Sequence, residues 1–153
     1  MEFFKDPKNR KIIIFFVIMF VIAGGLTLLK HQLGYDKIKA DSLQQYYDTY
    51  PEEKEKLFAD FAGPEDSIVT PSCSIEDNDF IVVYTYKKQM SDKDIKKATD
   101  KFEENIDSMQ KQAEEVIKGL NKKTGVKSGR MAMTLTYCNN DGSEIWSKTF
   151  EYK

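Results

Sequence analysis

Residues 80–120 read FIVVYTYKKQMSDKDIKKATDKFEENIDSMQKQAEEVIKGL, and this stretch decides the fold. Its opening alternates with period two: Phe80, Val82, Tyr84 and Tyr86 share one face, with Ile81, Val83 and Thr85 on the other. Apolar side chains on both faces predict a central strand with at least partial cover on each side. Ser91-Asp92-Lys93-Asp94 then has the form of a capping box, Ser91 accepting from the backbone and Asp94 reaching back. The helix it opens carries Ile95, Ala98, Phe102, Ile106, Met109, Ala113, Val116 and Leu120 at steps of three and four. Running to about Gly119, it would be roughly 40 Å long. A single apolar stripe predicts packing on a sheet. Ala98 and Ala113 are weak knobs for a coiled coil.

Both flanks of this unit read as hairpins. Upstream, Ile68 to Ile75 and Phe80 to Lys87 are extended runs joined by Glu76-Asp77-Asn78-Asp79. Pro71 demotes the first run to an edge strand, because proline cannot donate to a ladder. Downstream, Met131, Met133, Leu135 and Tyr137 alternate with Ala132, Thr134 and Thr136. After Asn139-Asn140-Asp141-Gly142, the residues Trp146, Phe150 and Tyr152 alternate with polar neighbours. The order β-β-α-β-β predicts an α+β domain over residues 65–153: a four-stranded antiparallel sheet packed on one long helix.

Two polar helical stretches precede it in residues 30–64. One runs from about Tyr35 to Tyr50 and is interrupted by Pro51; the other, Glu52 to Ala62, carries Leu57, Phe58 and Phe61 on one stripe and stops at Gly63-Pro64. These stripes read as surfaces that pack against the domain that follows. Aromatics are nevertheless numerous for a modest core, which makes Tyr46, Tyr47, Tyr50, Tyr84, Tyr86 and Trp146 candidate binding residues.

Ile12 to Leu29 is 18 residues without a charge, IIIFFVIMFVIAGGLTLL. At 1.5 Å per residue it spans about 27 Å, close to the hydrocarbon thickness of a bilayer. Val21-Ile22-Ala23 resembles a signal-peptide cleavage site, but the apolar run continues through Leu26, Leu28 and Leu29, and an uncleaved membrane helix is expected. No cysteine lies near it for lipid attachment. The preceding tail, residues 1–11, carries Lys5, Lys8, Arg10 and Lys11. Lys30, Lys37 and Lys39 follow the run, so the positive-inside bias is small, but the reverse topology must push a short basic tail across the membrane. The N-terminus is expected in the cytoplasm and the domain outside it, on the cell membrane.

Beyond residue 29 the chain carries 19 basic and 23 acidic residues, a balance that argues against nucleic acid as a partner. Histidine occurs once, His31, beside the membrane boundary, where it cannot act as base in a folded domain. Asp77-Asn78-Asp79 and Asn139 to Glu144 resemble fragments of calcium loops, but neither completes the ligand ladder, and both fall where hairpins turn. Glu103, Glu104 and Asp107 read as a solvated helix face. No catalytic, cofactor-binding or metal-binding set is legible. Cys73 and Cys138 are two cysteines in an oxidising compartment and form a candidate disulfide, with two buried free thiols as the alternative.

From about Ile75 onward the chain resembles a domain-of-unknown-function family of small extracytoplasmic domains, lipoproteins or single-pass proteins, from Gram-positive gut bacteria. Val82-Val83-Tyr84-Thr85-Tyr86-Lys87, the long helix, and Tyr137, Asn140-Asp141-Gly142 and Phe150 of the last hairpin carry the resemblance. It implies an address and a fold, and no activity. The expectation is a non-enzymatic, membrane-anchored module that binds an envelope protein, a cell-wall ligand or another extracellular ligand. The alternative is an envelope hydrolase or transferase with an unrecognised carboxylate pair.

Overall fold

The computed structural model describes residues 40–64 and 67–152. The expected cytoplasmic tail and membrane helix, residues 1–11 and 12–29, lie outside the described residues. Among those described, no helix is long and apolar enough to cross a membrane.

Two short helices come first, α1 (Leu43–Thr49) and α2 (Pro51–Asp60). Ser42 caps α1 by accepting from the Gln45 N–H, and Pro51 sits at the start of α2, where its missing N–H costs nothing. The strands are β1 (Val69–Glu76), β2 (Asp79–Tyr86), β3 (Ala132–Cys138) and β4 (Glu144–Glu151). A two-residue turn joins β1 to β2, with Asp77 at φ 50°. Leu43, Tyr46, Tyr47, Leu57 and Phe61 are buried in the same core as the sheet, so α1 and α2 belong to one packed unit with it.

The sheet order is β1-β2-β3-β4, but β2 and β3 run parallel, so the sheet is mixed and not antiparallel as the sequence suggested. The connection explains this. Each hairpin is antiparallel, and the helical crossover between them carries the chain from the end of β2 back to the level where β2 began. There Ala132 N donates to Asn78 O at 3.0 Å, and β3 starts in the direction of β2.

The expected single helix is two: α3 (Asp92–Glu104) and α4 (Ile106–Thr124). Asn105 breaks it. Its side-chain amide donates to Lys101 O at 2.7 Å, competing with the helical ladder. Just before the break, Phe102 lies on Tyr137 and Trp146, with ring centroids 4.3 and 5.0 Å apart. Helix α4 passes Gly119 and ends at Gly125, which takes the left-handed conformation at φ 76°. Ser91 caps α3 as expected, its Oγ accepting from Asp94 N at 3.3 Å, but Asp94 Oδ2 accepts from Ser91 Oγ at 2.8 Å instead of from the backbone N–H that a full capping box uses.

Registers sort the strands into cross-strand rows. The core-facing rows are Ile75-Phe80-Met133-Phe150, Cys73-Val82-Leu135-Lys148 and Pro71-Tyr84-Tyr137-Trp146, with the pair Val69-Tyr86 beyond them. Ring contacts between helices and sheet fall on these rows, including Phe58 and Phe61 on Phe80. A second tie crosses from α2 to α4. The buried Glu53 accepts from Lys123 at 2.5 Å and from Lys56 at 3.0 Å. The hydrogen bond from Lys123, together with that from Lys56, holds the Glu53 carboxyl below its ordinary range.

A lowered folded value means that Glu53 stabilises the fold above the unfolded carboxylate pKa and stops doing so as pH falls through the folded value. Glu53→Gln is therefore expected to lower stability by about 1–3 kcal/mol at neutral pH. The deficit should shrink as thermal melts are taken from pH 5 toward pH 3. A pH-independent deficit would show that the ion pair is not its source.

Both sheet edges are blunted. Lys87 N donates to Ile68 O at 2.9 Å, so the backbone of residues 69, 71, 73 and 75 points away from β2, and at 71 proline offers no donor. On β4 the backbone of Ser147 and Thr149 points outward, while Lys148 projects from the core-side row as an exposed charge beside Leu135. A lysine in that place deters strand addition. Lys148→Val should therefore give concentration-dependent self-association by sedimentation velocity. A variant that stays monomeric would show that the edge is protected by something else.

Candidate functional site

The aromatics singled out from the sequence are core residues. Tyr47 is 1% exposed, Tyr84 and Tyr86 2%, Trp146 6% and Tyr46 7%, and only Tyr50 is half-buried. Tyr84, Tyr137, Phe102 and Trp146 stack into one cluster under α3. Trp146 Nε1 donates to Glu103 Oε1 at 2.7 Å, which ties α3 to β4. Burial pushes the phenols of Tyr84, Tyr86 and Tyr137 upward, so they stay neutral. Tyr46, Tyr47, Tyr84, Tyr86 and Trp146 thus fill the core and are not presented at the surface.

The cysteines are both free and stand on opposite faces of the sheet. Cys73 of β1 shares the core-side row of Val82, and Cys138 of β3 shares the outer row of Thr85. They are two strands and three residues apart, roughly 14 Å, about twice the reach of a disulfide. Burial raises the Cys73 thiol to about 12.

The acidic loops are turns. Asp141 Oδ1 accepts from Ser143 N at 2.9 Å and from Ser143 Oγ at 2.6 Å, and Gly142 takes φ 83°. Asn139 is 2% exposed and clamps the segment after β2, with its Oδ1 accepting from Met90 N at 2.8 Å. Asn140 Nδ2 donates to Lys87 O at 3.0 Å. At the other end of the sheet, Asn78 Oδ1 accepts from Leu43 N at 3.0 Å and holds the start of α1 against the first turn.

What the domain presents is the face of the sheet away from the helices. Its end row is Glu76-Asp79-Ala132-Glu151; the next are Ser74-Ile81-Thr134-Thr149 and Ser72-Val83-Thr136-Ser147; the last is Thr70-Thr85-Cys138-Glu144. On β2 and β3 these positions are half-buried, and on β1 and β4 they are exposed. Hydroxyls lock the rows together: Thr134 to Thr149 at 2.9 Å, Thr136 to Ser147 at 2.8 Å, and Thr134 donating to Asp79 Oδ2 at 2.7 Å. With strands ~4.8 Å apart and rising ~3.3 Å per residue, the face measures about 500 Å². Its two middle rows are uncharged, with Ile81 and Val83 as the aliphatic centre. In the sequence only the alternation of Ile81 and Val83 marks this face, and it predicts at least partial cover there.

Among the described residues the fold is thus a two-layer α+β domain, with four helices on one side of a mixed sheet and no element packed on the other. Residues 43–150 match the model of a domain of unknown function, DUF4854, and the chain belongs to that family. The match takes in α1 and α2 as well as the sheet. No curated protein and no solved structure matches the chain.

Proposed function

We propose that this chain is a single-pass membrane protein of a Gram-positive bacterium whose extracytoplasmic domain is a binding module for another protein of the envelope, with no catalytic role. The open sheet face carries this reading. Its middle rows are uncharged and made of β-branched and hydroxyl-bearing side chains, a composition suited to a protein surface. Among its row positions there is no aromatic ring to stack on a sugar and no lysine or arginine to hold a polyanion. The blunted edges argue against strand addition as the mode of binding. An interface covering the face on both partners would bury about 1,000 Å², the lower bound for a specific contact. The uncharged run Ile12 to Leu29, preceded by Arg10 and Lys11, supports the anchor and its orientation.

Affinity purification of the full chain from cross-linked native membranes tests the module. A specific protein partner is expected, lost in Val83→Arg while the thermal midpoint is kept. The same partners on both chains, or retention of cell-wall glycan alone, would overturn it. Orientation has its own test: with Cys73 and Cys138 replaced by serine, Gly129→Cys should react with an impermeant maleimide on intact cells. Gly129 is exposed with open space around it. Reaction only after lysis would reverse the topology.

A further inference from the structure

We infer that the surface received by the open face belongs to a different protein, one that is basic where it meets the Glu76-Asp79-Glu151 row. The inference rests on the face being the docking surface and adds the charge of what docks there. The register places Glu76, Asp79 and Glu151 side by side with Ala132 in one cross-strand row. Every charged side chain in the four rows is acidic, Glu144 at the far corner included. Glu76 and Glu151 are exposed. Asp79 Oδ2 accepts from Thr134 Oγ1 at 2.7 Å and its other oxygen is buried, so Glu76 and Glu151 carry the exposed charge of the row.

Two copies anchored in one membrane enter their domains at the same end, since Leu43 is held on Asn78 beside the acidic row. Face-to-face packing of such copies would bring two carboxylate rows together. Like charges in apposition cost affinity, and a basic rim on a different chain gains it and speeds encounter.

The test uses the full chain in native membranes with a photo-reactive residue at Thr136, in the middle of the face, and reads the yield of cross-linked partner. The wild-type rows should give a hetero-complex whose yield falls as salt is raised from 50 to 300 mM. Glu76→Lys with Glu151→Lys should lower the yield about tenfold at low salt, and the Gln pair should fall between. Yields that ignore both salt and charge reversal, while Val83→Arg still abolishes them, would overturn the basic partner and leave the docking face standing. A cross-linked product of two copies of this chain would overturn the hetero-partner directly. No cross-linked product at all would remove the docking face, and this inference with it.

Discussion

Replacing Phe80 with alanine is expected to destabilise the domain by about 3–5 kcal/mol, a large part of the 5–15 kcal/mol that holds a typical domain together. Phe80 has no exposed surface and occupies the centre of its row between Ile75 and Met133. Phe61 meets its ring edge-on at 4.9 Å and Phe58 stacks on it at 6.3 Å, so one side chain joins α2 to the sheet. Truncation leaves a cavity under a helix whose other buried side chains are Leu57 and Glu53. Phe58, which is only half-buried, should cost less when replaced by alanine. Urea unfolding followed through Trp146, the sole tryptophan, measures both. Equal costs would mean that α2 does not dock through Phe80.

Asn139→Ala is expected to cost about 2–3 kcal/mol although it removes no apolar surface, because it leaves a buried donor unpaired. The Asn139 side chain accepts from Met90 N at 2.8 Å and from Asn140 N at 3.1 Å, and its amide reaches Met90 O at 3.4 Å. These bonds seat the start of the crossover on the last hairpin. Asn139→Asp keeps the acceptor but sets a carboxylate against the Met90 carbonyl. Its deficit should therefore shrink as pH is lowered and the carboxyl protonates. Thermal melts of the two variants at pH 4 and pH 7 separate the donor from the acceptor role. A neutral Asn139→Ala would remove the clamp from the account.

The parts legible in the sequence were those set by local chemistry. Ser91 and Asp94 announce a helix start, Asp77-Asn78 and Asp141-Gly142 announce turns, and the period-two runs place four strands. Strand direction was not local. Two antiparallel hairpins joined by a helical crossover give a parallel pair only if β2 and β3 are neighbours, and no residue states that. The helix break was hidden because the apolar stripe from Ile95 to Leu120 continues in phase through Asn105, whose side chain decides the matter by bonding back to Lys101 O. The tyrosines misled in the other direction. Rings that looked surplus to a small core are the core, because Phe102 of α3 packs directly on Tyr137 and Trp146. The open face was half legible: Ile81 and Val83 stood out, while the serines and threonines of the other strands read as ordinary solvent positions.

Cys138 offers the most direct measurement of the central claim, that the open face is occupied in the membrane. Its thiol is half-buried on that face, in the row of Thr85 and Glu144. Alkylation of Cys138 by a small maleimide should be severalfold slower in native membranes than in the purified full chain. Val83→Arg should restore the faster rate, and a cysteine placed at Gly129 should react alike in both settings. Equal rates at Cys138 in membranes and in the purified chain would contradict the account, because a face covered by a partner cannot be as open as a bare one.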